Sequence, residues 1–229
     1  GRTDDPKLFR PLIVTLLVSV TFGIFWPMLL DGYFSIPTAI GVSLASWLGI
    51  ATVVDAFRRV QEYGSLSVVV TRAERGMIGM WCAHFGLAIV IFGIVMVENH
   101  SEQRDVRMGL NDVQVLGNYE VKLVSLDVVN GPNYVGDRAT FEIYADEVLY
   151  QVVTPEKRRY SASGMIMTEA AIDSGITRDL YIAMGEPVGN GDWAIRLSVK
   201  PYVDWIWFGA ALMGFCLLYT SDAADDRVS

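Results

Sequence analysis

Apolar and polar positions along this chain fall into blocks. Four apolar runs, at 11–30, 36–54, 77–97 and 201–219, are separated by polar stretches of very different length. Each run is long enough to cross the roughly 30 Å hydrocarbon core of a bilayer, and inside lipid such a run closes its backbone hydrogen bonds as a helix. Pro11 and Pro201 open the first and last runs, and Ser35 precedes the second as a helix N-cap with Pro37 in its first turn. The pattern predicts an α-helical integral membrane protein with about four transmembrane helices.

The stretch 98–200 has a different period. Apolar residues alternate with small or polar ones at 119–126, 139–144 and 193–200, with further strand candidates at 148–153 and 180–184. Turn sequences separate them: Gly117-Asn118, Asn130-Gly131-Pro132-Asn133 and Gly189-Asn190-Gly191-Asp192. A β-rich domain, a small sandwich or barrel, is therefore expected between the third and fourth helices. Two segments break the alternation. The basic cluster 154–160 reads as a solvated turn. The run 165–173 sets methionines beside acidic residues, suited either to core packing or to flexible contact with a partner.

Arginine and lysine placement gives the orientation. The loop 55–76 carries Arg58, Arg59, Arg72 and Arg75, and the start of the chain carries Arg2, Lys7 and Arg10. The short link 31–35 carries neither residue type. The positive-inside rule puts 1–10 and 55–76 in the cytoplasm and 98–200 outside, in the periplasm of a Gram-negative bacterium. Trp26, Tyr33, Phe34, Tyr202, Trp205 and Trp207 would form the outer aromatic belt. The chain divides into three helices within 1–97, a periplasmic domain at 98–200 and a last helix at 201–219.

Composition narrows the function. The net charge of −8 argues against a nucleic-acid partner. The chain is 52 % hydrophobic, in keeping with membrane lipid as its surroundings. Cys82 and Cys216 form no metal-binding or disulfide pattern, and Cys82 reads as a small apolar filler. No nucleophile triad or phosphate loop is present, so no catalytic residue is assigned.

His84 carries the candidate chemistry. It is the one imidazole of 77–97, and a polar ring at that depth is by default a proton relay, a substrate contact or a metal ligand. The bland alternative is a neutral histidine bonded to a neighbouring helix. On a helical wheel Gly79, Ala83, Gly86 and Gly93 form a small-residue stripe that admits another helix closely. His84 projects from nearly the opposite side, with Met77, Met80, Trp81, Ala88, Ile91 and Val95. That surface suits a large flat cofactor, lipid or another helix. If the cofactor is haem, neutral imidazole is a good iron ligand. Met80 cannot reach the opposite face of the macrocycle, and His100 reads as a solvated residue beyond the span.

Five segments in order carry a resemblance: 80–86 (MWCAHFG), 155–160 (PEKRRY), 167–173 (MTEAAID), 178–181 (RDLY) and 200–207 (KPYVDWIW). Together they resemble the C-terminal part of the CcmF family over about 11–214. The resemblance implies a multi-span inner-membrane protein with a periplasmic β-rich domain before its last span. It implies a haem lyase subunit that helps join haem from a CcmE-type chaperone to apocytochrome c held by CcmH. It also implies a b-type haem between two membrane histidines, thought to reduce incoming haem with quinol. The second of those histidines matches His84, which would be the cofactor-binding and metal-ligating residue here. The first, and the histidines that hold substrate haem, lie upstream in the family, so this stretch alone would be inactive. Two other functions compete: a non-catalytic scaffold that docks assembly partners through its outer domain, and a component of a haem transporter.

The end departs from the family. Residues 220–226 are acidic where the family has a short basic tail, and Gly1 stands where a start would have methionine. The sequence from about 216 onward is expected to be non-native, and the chain to be an internal or truncated piece.

Overall fold

The computed structural model describes residues 6–31, 34–65 and 75–225. Arg2, Tyr33 and Arg72 lie outside the described residues. Among the described residues the chain forms four helices and ten strands. They separate into a helical unit, 1–99 with 202–229, and a β unit, 100–201.

In the helical unit, α1 spans Pro6–Asp31, α2 Ile36–Tyr63, α3 Arg75–His100 and α4 Val203–Asp225. Among the described residues, two helices are long and apolar enough to cross a membrane, Ile36–Tyr63 and Gly76–His100; Arg10–Trp26 and Val203–Leu218 are shorter apolar stretches. The helix ends correct the sequence reading. The second apolar run predicts an end at Val54 and a loop from Asp55, whereas the helix continues to Tyr63. Hydropathy marks where lipid ends, whereas the helix ends at a cap. Gly64 adopts φ +85 and returns its N–H to the carbonyl of Val60 at 2.9 Å. Arg58 and Arg59 are therefore helical. Pro201 does not open the last helix: it ends a strand opposite Arg178, and Tyr202 at φ +57 turns the chain before α4 begins.

Small residues set the helix packing. A Cβ on Gly86 would meet the Gly209 carbonyl at 2.8 Å, and one on Gly93 would meet Ile206 at 2.8 Å. The small-residue stripe of α3 thus lies against α4. The other side of α3 meets α2, where Gly41 faces Val95 and Gly49 faces Ala88. Trp26, Phe92, Tyr202 and Trp205 stack in one aromatic cluster with centroid separations of 5.6 to 6.1 Å.

The β unit is a sandwich. One sheet has the order β1-β10-β9-β8, from Glu102–Met108, Asp192–Pro201, Arg178–Gly189 and Ala171–Asp173. The other has the order β2-β3-β4-β6-β7, from Val113–Leu116, Tyr119–Asn130, Tyr134–Ala145, Glu156–Tyr160 and Ile166–Glu169, with β5 (Val148–Val153) also paired to β4. The alternating positions face inward. Leu123, Phe141 and Ile143 from one sheet meet Met184, Ile195 and Leu197 from the other, all at most 1 % exposed. Glu102 pairs with Val199, so the two ends of the unit leave side by side.

The cluster 154–160 is not a solvated turn. Its Glu156–Tyr160 segment is β6, paired with β4 on one side and β7 on the other. Its charges are absorbed locally. Glu156, 4 % exposed, accepts from Arg138, Arg158 and Tyr134, and Arg158 lies over the Tyr134 ring. The methionines of 165–173 do not enter the core: Met165, Ile166 and Met167 are all about half exposed (57, 48 and 46 %).

Candidate functional site

His84 sits near the middle of α3, about two and a half turns from the helix start. Its ring is exposed on this chain rather than buried. Nδ1 lies 2.7 Å from the carbonyl oxygen of Met80, one turn back. A carbonyl only accepts, so Nδ1 carries the proton and donates it. The lone pair is then on Nε2, which has no partner among the described residues. This is the tautomer a metal-ligating imidazole adopts when a backbone carbonyl holds its other nitrogen.

The surface around the ring is partly closed. Ala88 is buried and packs toward Gly49 of α2, and Val95 packs toward Gly41. Trp81 donates its indole N–H to Asp55 Oδ2 at 2.8 Å. Arg59 approaches the same oxygen at 3.7 Å. The face that carries His84 therefore meets α2 at Ala88 and Val95, and His84 itself is exposed. Asp55 was not singled out from the sequence. The available signal was an acid at the end of an apolar run, but its partner is 26 residues away and only helix register brings them together.

The fit of this site to haem is half a fit. One imidazole presents Nε2 on an exposed apolar face, as an axial ligand requires. Met80 holds His84 through its carbonyl and lies on the same helix. His100 is 16 residues further along α3, about 24 Å at the helical rise, and half-buried. Among the described residues no group of three His, Cys, Asp or Glu side chains could hold a metal ion.

The β unit holds two polar knots. Burial works to raise the Glu156 carboxyl, but the bonds from Arg158, Arg138 and Tyr134 outweigh it and hold the group below the usual carboxylate range. Across the sandwich, Arg178 of β9 donates to the Tyr119 hydroxyl and to Asp173, both at 2.7 Å, and lies over the rings of Tyr119 and Tyr150. Both knots join strands, and neither opens onto a reactive group.

Residues 99–201 match the family described as the CcmF C-terminal beta-sandwich. The chain is 37 % identical over 213 residues to the cytochrome c-type biogenesis protein CcmF of Escherichia coli strain K12, covering 93 % of this chain and 32 % of that protein. The chain belongs to the CcmF family. It is 41 % identical over 171 residues to CcmF of Pseudomonas aeruginosa, covering 75 % of this chain and 26 % of the relative. It thus spans about a third of the length of the curated relatives it matches. A solved structure of the cytochrome c heme lyase CcmF superposes with a TM-score of 0.73 over 96 % of this chain and 35 % of its own, at 16 % identity, a likeness of fold.

Proposed function

We propose that this chain is the C-terminal part of a haem lyase subunit in c-type cytochrome maturation. In this reading it crosses the bacterial inner membrane four times and holds its β-sandwich in the periplasm. His84 would hold a b-type haem through Nε2, together with a residue from an upstream helix. When bound, that haem would carry single electrons, in this reading from quinol to incoming haem.

The observation that carries the reading is the His84–Met80 bond at 2.7 Å in the middle of an apolar helix. It fixes the ring and the tautomer and leaves Nε2 without a partner among the described residues. The relatives, named for cytochrome c-type biogenesis, agree with the class of work. The chain's own residues do three things. Met80 orients the imidazole. The glycines of α3 seat α4 on the side away from it. The apolar helix faces keep water from the ring once the remaining helices cover them.

Apocytochrome c, a CcmE-type haem chaperone and CcmH are the partners of this reading. The exposed Met165, Ile166 and Met167 favour a second role beside it, docking of a partner protein by the sandwich. The two separate by experiment: haem lost from the full-length protein on replacing His84 supports the ligand role, whereas haem-independent partner binding with no haem in the protein supports a scaffold alone.

A further inference from the structure

Among the described residues, a directional side-chain contact joins α2 and α3 beside the His84 site, made by Asp55 and Trp81. The other contacts of that face, Gly49 with Ala88 and Gly41 with Val95, are van der Waals packing of small residues. Such packing brings the helices close but leaves α3 able to rotate about its axis by small amounts. A hydrogen bond to an indole N–H, with its narrow angular range, does not.

Trp81 and His84 are three residues apart, so they are neighbours on one face of α3. Met80, which holds Nδ1, is next to Trp81 in the chain. The rotation of α3 that places the indole on Asp55 therefore also sets the direction of His84 Nε2. Arg59, one turn along α2, adds a positive charge 3.7 Å from the same carboxylate oxygen. An acid at the end of an apolar run is costly to keep without such partners.

We propose that Asp55 is a positioning residue for the His84 site: through the Trp81 indole it fixes the rotational setting of α3 and so the aim of the Nε2 lone pair. Asp55 touches no cofactor in this scheme and acts through Trp81. The inference rests on the assignment of His84 as a haem ligand.

The test uses a full-length CcmF that carries this sequence as its C-terminal part, purified with its haem. Asp55→Ala, Asp55→Asn and Trp81→Phe are compared for haem per protein, midpoint potential and the low-temperature electron paramagnetic resonance spectrum, which reports ligand orientation. Asp55→Ala and Trp81→Phe should weaken haem affinity about tenfold, the low end for removing a supporting partner of a metal ligand. Both should shift the potential and the resonance in the same direction. Asp55→Asn keeps a carbonyl oxygen for the indole and should stay close to wild type. If Asp55→Ala fails to accumulate, Trp81→Phe carries the test, because it keeps a ring and loses the donor. Wild-type potential and spectrum in Trp81→Phe would overturn the inference, as would an Asp55→Asn protein as impaired as Asp55→Ala. His84→Ala separates the two levels. If it keeps its haem, the ligand assignment fails. If it loses haem while the Asp55 and Trp81 variants behave as wild type, only the positioning role fails.

Discussion

His84 donates its Nδ1 proton to the carbonyl of Met80, one helical turn back, at 2.7 Å. The bond has a chemical consequence that ligand exchange can read. A full-length His84→Gly protein should lose haem, and added imidazole should restore it by filling the space left. Imidazole can ligate through one nitrogen and donate to Met80 through the other; 1-methylimidazole can only ligate. Rescue should therefore be several-fold weaker with 1-methylimidazole, read from Soret absorbance against concentration. Equal rescue by both would remove the Met80 bond from the account.

Gly86 and Gly209 meet backbone to backbone, with no room for a side chain on either. Gly209→Ala would place a Cβ 2.5 Å from the Gly86 carbonyl. Overpacking of this kind costs about 1–3 kcal/mol, and backbone cannot move aside as a side chain would. Thermal unfolding in detergent should show Gly86→Ala and Gly209→Ala less stable than wild type. Gly214→Ala, where nothing lies within 4 Å, should be neutral or slightly stabilising, since alanine is the better helix former.

Glu156 gives the sandwich a pH dependence of definite sign. Its folded pKa lies below the unfolded one, so its contribution is present above the ordinary glutamate value of about 4.3 and is lost as pH falls through the folded value. Removing one partner from a buried ion cluster costs about 3 kcal/mol or more. Glu156→Gln should lower the stability of domain 100–201 by that order at pH 7 and flatten its decline between pH 5 and pH 3. Urea unfolding followed through the fluorescence of Trp193 measures both. An unchanged pH profile in the variant would place the acid sensitivity elsewhere.

The helices were legible because each lipid-length run must bury its own backbone. Their ends were less so, since Gly64 and Tyr202 act through φ rather than through hydropathy. Strands with one apolar face, such as 119–126 and 193–200, showed their period directly. β1 and β6 did not. Their outward residues are charged and are balanced across the sheet, Asp105 by Arg196 and Glu156 by Arg138. His84 stood out as a lone polar ring in an apolar run. Its surroundings did not, because α2 meets α3 through a register that no local pattern encodes.

The orientation rests on arginines at the α2 end of the helical unit, and fusions test it. A reporter active only outside the cytoplasm should be active when joined after Gly136, within the sandwich. The same reporter joined after Gly64, at the α2 cap, should be silent. The opposite pattern would invert the topology and contradict the proposed periplasmic placement of the sandwich.

An optical spectrum of the full-length protein shows directly whether His84 ligates haem iron. Wild type should show the reduced α and β bands of a six-coordinate b-type haem. His84→Ala should lose one axial bond, with lower haem content and a reduced spectrum shifted away from the six-coordinate form, while His100→Ala should match wild type. A His84→Ala protein with full haem content and an unchanged spectrum would contradict the assignment and return His84 to a structural role between helices.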